Sequence, residues 1–183
     1  MSPDRKRADA TRNAAVLLTA ARDLVEREGS DISLDQVARL AGVGNATLYR
    51  HFPTREDLLA AVYADEVAAL CAYGAEVGRA SPPLDALFAW LDAFVVHVAT
   101  KRPLALAATE GPGGRRGPRF AAWHASINAV AADLVEGARG DLRTGLTATD
   151  VLTLARGAAL AADVETARRL TAYLRDGLSS GRA

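Results

Sequence analysis

Reactive side chains are few in this sequence. It holds three histidines, His51, His97 and His124, and a single cysteine, Cys71. His97 and His124 are possible metal ligands, but a site needs further His, Cys or carboxylate groups at fixed spacing. With one other histidine and one cysteine in the chain, no metal is expected. The stretch Gly111 to Pro118 is rich in Gly, Pro and Arg, yet no Gly-Lys-Ser/Thr follows it, so it is not a phosphate-binding P-loop. Cys71 reads as a small buried hydrophobe rather than a redox centre, and alone it forms no intrachain disulfide. No nucleophile–base or acid–base constellation stands out, so neither catalysis nor a cofactor is expected.

The bulk numbers bound the class. Half of the 183 residues are hydrophobic and 24% are charged, which fits a globular protein with a real core and argues against global disorder. Net charge is zero, and residues 1–60 carry nine basic and nine acidic side chains, so composition is neutral on nucleic-acid binding. A case for it must rest on where the charges lie. The N-terminal MSPDRKRADATRNAA has a basic start but no apolar core, unlike a signal peptide. No uncharged apolar run reaches the roughly 20 residues that cross a bilayer. These features lead us to expect a cytoplasmic protein with no membrane partner.

The elements follow from apolar spacing. From about Ala8 to Glu28 the stripe Ala14, Leu17/Leu18, Ala21, Leu24/Val25 predicts an amphipathic helix, ended by Gly29. Ser33 with Gln36 forms a capping box, and Ile32 with Val37 a hydrophobic staple, at the start of a short second helix. Leu34, Val37, Ala38 and Ala41 are its apolar face, and Gly42 stops it. A third helix runs from about Asn45 to Phe52, before Pro53. Thr54 with Asp57 starts a long fourth through about Tyr73. After the turn Ala80 to Pro83 come helices Leu84 to Thr100 and Leu104 to Thr109, a Gly/Pro/Arg loop, and helices Arg119 to Ala138, Thr149 to Ala162 and Val164 to Ser179. The fold is predicted all-α. Residues 1–55 are expected to form an N-terminal three-helix domain and 56–183 a C-terminal helical domain, connected by the helix over 54–73.

The segment Ser33 to Arg55, SLDQVARLAGVGNATLYRHFPTR, meets the steric demands of a helix-turn-helix. The first helix needs a small residue where the second crosses it, the turn a residue tolerant of positive φ, and the second helix an apolar anchor. Ala38, Gly42 and Leu48 fill these roles, with Val37 and Val43 adding core contacts.

With GVGNATLYRHFPTREDLLAAV in register behind SLDQVA, the chain resembles the tetracycline-repressor (TetR) family of bacterial regulators over about residues 10 to 65. The resemblance implies that the third helix enters the major groove of operator DNA. Asn45, Ala46, Thr47 and Arg50 would face base edges, with Asn45 and Arg50 carrying most discrimination. Asn can bond adenine, and Arg guanine, in bidentate fashion. Thr47, Tyr49 and His51 would meet phosphates, joined by Ser33 and by Arg55 at a helix start. Arg5, Lys6 and Arg7 are more simply a solvated tail than a DNA-binding arm. Gly44 departs from the serine that many members carry as N-cap of the third helix, which leaves one phosphate contact in doubt.

The resemblance also gives the C-terminal half two tasks, effector binding and dimerisation. Trp90, Phe94 and His97 share one helix face, while Phe120, Trp123, His124 and Asn128 share another. Both have the apolar-with-polar character of a small-molecule pocket, and of a plain core. Leu154, Ala158 and Ala161, with Ala167, Leu170 and Leu174 on the last helix, would pair with a two-fold mate as a four-helix bundle. The expected partners are double-stranded operator DNA, a second copy of the chain and a small-molecule effector. The implied function is a repressor that leaves a near-palindromic operator when the effector binds.

Overall fold

A computed structural model describes residues 3–109, 117–161 and 163–180, without the side chains of residues 3–8 and 161. Eight α-helices account for most of it: α1 (Pro3–Glu28), α2 (Leu34–Ala41), α3 (Asn45–His51), α4 (Arg55–Ala80), α5 (Pro83–Ala107), α6 (Pro118–Gly137), α7 (Ala148–Ala161) and α8 (Val164–Leu178). A short 3₁₀ turn, Arg139–Asp141, follows α6. The all-α expectation is met. The chain divides into two compact units, Met1–Asp65 with Pro103–Gly117, and Glu66–Arg102 with Pro118–Ala183.

In the first unit the predicted α1 stripe is the buried one, with Leu17, Ala21 and Leu24 at most 7% exposed. The helix begins earlier than its apolar pattern, at Pro3, because the preceding Asp, Arg, Lys and Ala residues carry no breaker. Arg5, Lys6 and Arg7 therefore lie in a helical turn, and their side chains are outside the described residues. Ile32, Val37, Ala38, Leu48, Phe52, Leu58, Leu59 and Val62 complete this core. The Ser33–Gln36 capping box forms in both directions, at 3.2 Å and 2.8 Å. Thr54 and Asp57 cap α4 as expected, Asp57 N–H donating to Thr54 Oγ1 at 3.1 Å.

Two helices, α4 and α5, differ from the predicted boundaries. Helix α4 runs seven residues past Tyr73, through Gly74 and Gly78. Glycine is a poor helix former, but at Gly74 its missing side chain is what the packing requires. A Cβ there would overlap Val130 Cγ1 of α6 and lie 2.9 Å from the Trp90 indole of α5. Helix α5 is likewise one helix where two were expected, and Pro103 sits inside it. Its ring faces solvent, and Leu104 and Ala107, both buried, hold the chain helical beyond it. Of the predicted Gly/Pro/Arg loop, residues 111–116 lie outside the described part, and Pro118 opens α6.

Thr147 and Asp150 cap α7 through three hydrogen bonds of 2.7–3.2 Å. Asp163 caps α8, its carboxylate accepting from Thr166 N–H at 2.8 Å. Helix α8 is tied to α5 by the ion pairs Arg175–Asp85 and Arg168–Asp92, and the Arg175 guanidinium also lies 5.6 Å from the Phe88 ring centroid. The end of α8 is further held by Arg143 N–H to Leu178 O and Ser180 N–H to Asp141 O, both 2.8 Å. Helices α4 and α5 are long and apolar enough by composition to cross a membrane, but roughly four-tenths of each apolar window is buried within the chain, as in core helices.

Gly74→Ala is expected to force α4 away from Val130 and Trp90. Overpacking of this kind costs about 1–3 kcal/mol, read as a lower urea midpoint with helical content retained.

Candidate nucleic-acid interface

Helix α3 has seven residues, too short to persist alone in water. It is fixed by one fully buried side chain, Leu48, and by the turn before it. Gly42 closes α2 at φ +64°, a left-handed conformation in which a Cβ would be strained. Its N–H bonds back to Arg39 O at 3.3 Å, and Val43 N–H bonds to Ala38 O at 3.0 Å. Gly44 then begins α3 without a side-chain cap, as its identity dictates.

With Leu48 turned inward, the opposite face of α3 is open. Gly44, Asn45, Ala46, Tyr49 and Arg50 are exposed, and Thr47 and His51 are half-buried. Tyr49 keeps 47% of its surface. The exposed face thus carries an amide, a guanidinium and a phenol. Those groups can donate to, or accept from, base edges and phosphate oxygens. Ser33 is exposed at the start of α2. Its Oγ accepts the Gln36 N–H, which leaves the hydroxyl proton free to donate outward.

Two side chains have partners that the sequence did not announce. The Arg55 guanidinium is turned into the loop between α1 and α2, where Nε donates to Ile32 O at 3.0 Å and Nη2 to Ser30 O. Asp31 lies 3.5 Å from the same Nη2. Arg55 thereby clamps the first turn of α4 to the residues that precede Ser33. The second is Asn45, whose Nδ2 donates to Asp35 Oδ1 of α2 at 2.9 Å. Only the assembled turn brings residues ten apart in sequence into hydrogen-bond contact.

The profile described as "Bacterial regulatory proteins, tetR family" matches residues 17–62, and that of the "Transcriptional regulator SbtR-like, C-terminal domain" matches residues 82–180. The chain belongs to the tetR family of bacterial regulatory proteins. It is 33% identical to the TetR transcriptional regulator SCO0520 of Streptomyces coelicolor, over 92% of this chain and 99% of that one, with a TM-score of 0.74. A TetR transcription regulatory protein of Mycobacterium vanbaalenii is 29% identical over 95% of this chain and 99% of its own, with a TM-score of 0.72. The HTH-type transcriptional regulator SAR0097 of Staphylococcus aureus (strain MRSA252) is 43% identical over 61 residues, which span 32% of this chain and 31% of that protein. This TetR-family protein is a DNA-binding transcriptional regulator.

In the second unit of the regulator, the residues expected around an effector fall into two environments. Trp90 and Phe94 are buried and stacked at 5.6 Å between ring centroids, with Trp90 Nε1 donating to Leu70 O at 3.1 Å. His97 is buried one turn further along α5. On α6, Phe120, Trp123 and His124 are half-buried, with 4.3 Å between the Phe120 and His124 rings, while Asn128 is exposed. Separately, an open groove of about 320 Å³ lies among Gly74–Arg79 of α4, Pro83 and Ala86 of α5, and Val130–Gly137 of α6. None of the expected effector residues lines it.

His97 has charged neighbours. Glu66 of α4 and Lys101 of α5 form an ion pair at 3.1 Å, with side chains 18% and 24% exposed. Burial pushes the His97 imidazole down to about 4. The Glu66 carboxylate opposes that shift and the Lys101 ammonium adds to it.

Of the residues expected at a dimer interface, Ala158 and Ala167 turn into the unit's own core. Leu170 and Leu174 are half-buried, Leu154 is 43% exposed, and the side chain of Ala161 is outside the described residues. Thr171 and Leu178 of α8 are buried as well. The large apolar groups left outside on α7 and α8 are Leu154, Leu160 at 49% and Tyr173 at 63%.

Two outcomes are expected. Arg55→Lys keeps the charge but not the fork that reaches two carbonyls, so stability should fall by about 1–2 kcal/mol in urea denaturation. Between pH 6.5 and about 4 the unfolded His97 takes a proton that the folded one refuses. Its contribution to stability is therefore complete above pH 6.5 and lost as pH falls toward 4. His97→Gln should flatten that part of the urea-midpoint profile.

Proposed function

We propose that the protein is a repressor that binds a near-palindromic operator as a homodimer and leaves it when a small-molecule effector binds the second unit. The observation that carries the reading is the open face of α3, where Asn45, Tyr49 and Arg50 are exposed around the buried anchor Leu48. Asn45, Ala46, Thr47 and Arg50 read base edges, and Ser33, Tyr49 and His51 position the helix on phosphates. Arg55 contributes by holding the loop that presents Ser33. Net charge is zero, so affinity comes from placed contacts rather than from a general electrostatic field.

Two recognition helices must reach half-sites about one helical turn apart, which requires a dimer. Leu154, Leu160 and Tyr173 offer the apolar surface for it on α7 and α8. The effector acts by differential affinity: it favours a dimer geometry that cannot fit both half-sites, so DNA and effector oppose each other. The faces holding Trp90, Phe94 and His97, and Phe120, Trp123, His124 and Asn128, supply the walls and polar groups for such a ligand. We place the regulator in the cytoplasm, with its operator.

Selection of bound duplexes from a random library at near-physiological salt is expected to return an inverted repeat. Recovery of nothing by folded, dimeric protein would overturn the reading. Leu154→Glu removes no buried side chain from the monomer, so it should give a folded monomer with operator affinity reduced by at least tenfold. A fully active Leu154→Glu dimer would move the interface elsewhere.

A further inference from the structure

A carboxylate beside a DNA-binding face repels the phosphates it approaches, and Asp35 adjoins the face proposed above for that role. It is exposed in the first turn of α2, and among the described residues no cation pairs with it. Its one recorded partner is Asn45, the first residue of α3, whose Nδ2 lies 2.9 Å from Asp35 Oδ1. An ionised carboxylate only accepts hydrogen bonds, whereas a carboxamide has a donating end and an accepting end. Asp35 can therefore bond the nitrogen of Asn45 and not its oxygen, which fixes which way round the amide stands. Among the described residues, Asn45 Oδ1 has no partner of its own.

We propose that Asp35 is a specificity-determining positioning residue, which orients the Asn45 amide so that Oδ1 is presented to the base edge. The inference rests on the reading of Asn45 as a base contact. In the major groove an outward carbonyl oxygen accepts from the amino groups of adenine (N6) and cytosine (N4), and it meets lone pairs at guanine O6 and thymine O4. The second N–H of Asn45 is still available, and adenine N7 is its natural acceptor. The favoured base is adenine, with cytosine tolerated and guanine and thymine rejected. Without Asp35, the amide turns over at little cost and offers its NH₂ to the keto bases as readily.

The test uses the full-length protein and four operator duplexes that differ only at the base pair, in both half-sites, to which Asn45 is mapped by loss of preference in Asn45→Ala. Wild type should bind the adenine duplex about tenfold or more tighter than the guanine and thymine duplexes. Asp35→Asn is close to isosteric and can hold the amide either way round. It should reduce that ratio to below about threefold, while overall affinity stays equal or rises as a negative charge is removed. Asp35→Ala, with no acceptor at all, should do the same, and circular dichroism checks that each variant is folded. In the Asn45→Ala background, Asp35→Asn should leave the base ratios unchanged.

A uniform change across the four duplexes would reduce Asp35 to a general electrostatic influence and overturn the proposal. A change of preference that persists in the Asn45→Ala background would overturn it too, by making the carboxylate itself the base contact. If Asn45→Ala alters preference at no position, the base-contact reading of Asn45 fails first; an altered preference there with an unaltered ratio in Asp35→Asn fails the orientation alone.

Discussion

A seven-residue helix does not hold itself together, and the exposed face that we propose meets DNA is carried on one. Nucleating such a helix fixes several dihedral angles for very few hydrogen bonds. The order of α3 is therefore borrowed from Leu48, which is wholly buried, and from the turn in which Gly42 takes a left-handed conformation. Much of the first unit supports that one insertion. Leu17, Ala21 and Leu24 of α1 and Val37 and Ala38 of α2 belong to the same core as Leu48, and Arg55 pins the loop leading into α2. Removing the anchor would not erase Asn45 or Arg50, but it would scatter them over many orientations.

The parts of this arrangement that depend on local chemistry were legible in the sequence. A capping box is set by residues three apart, so Ser33 and Gln36 announced the start of α2 correctly, as Thr54 with Asp57 did for α4. The small residue, turn glycine and apolar anchor at Ala38, Gly42 and Leu48 were legible for the same reason. Interactions across elements were not. Arg55 was expected to meet a phosphate at a helix start, and the carbonyls of Ser30 and Ile32 that engage it carry no side-chain signature. Asp35 and Asn45 meet only once the turn has formed.

Helices α4, α5 and α8 show the limit of helical periodicity. An apolar stripe says that a face is covered, not what covers it. Ala167, Leu170 and Leu174 along α8 read as a surface for a second chain, yet Ala167 is buried within this one and the two leucines are half-buried. Gly74 and Pro103 looked like boundaries because intrinsic propensity disfavours both inside a helix. Tertiary packing overrode that preference, at Gly74 through the close approach of Val130 and Trp90, and at Pro103 through the burial of Leu104 and Ala107 just beyond it.

The Trp90 indole, closed off from water and bonded to the Leu70 carbonyl, also gives the molecule an optical property. The chain has only one other tryptophan, Trp123, which is half-buried on α6. Two emitters in such different surroundings differ in wavelength and in access to a soluble quencher. Light from the shielded one reports on the register of α4 against α5 within the second unit, because sliding either helix breaks the indole's hydrogen bond. The unmodified protein carries its own strain gauge, and needs no attached dye to show when those two helices move.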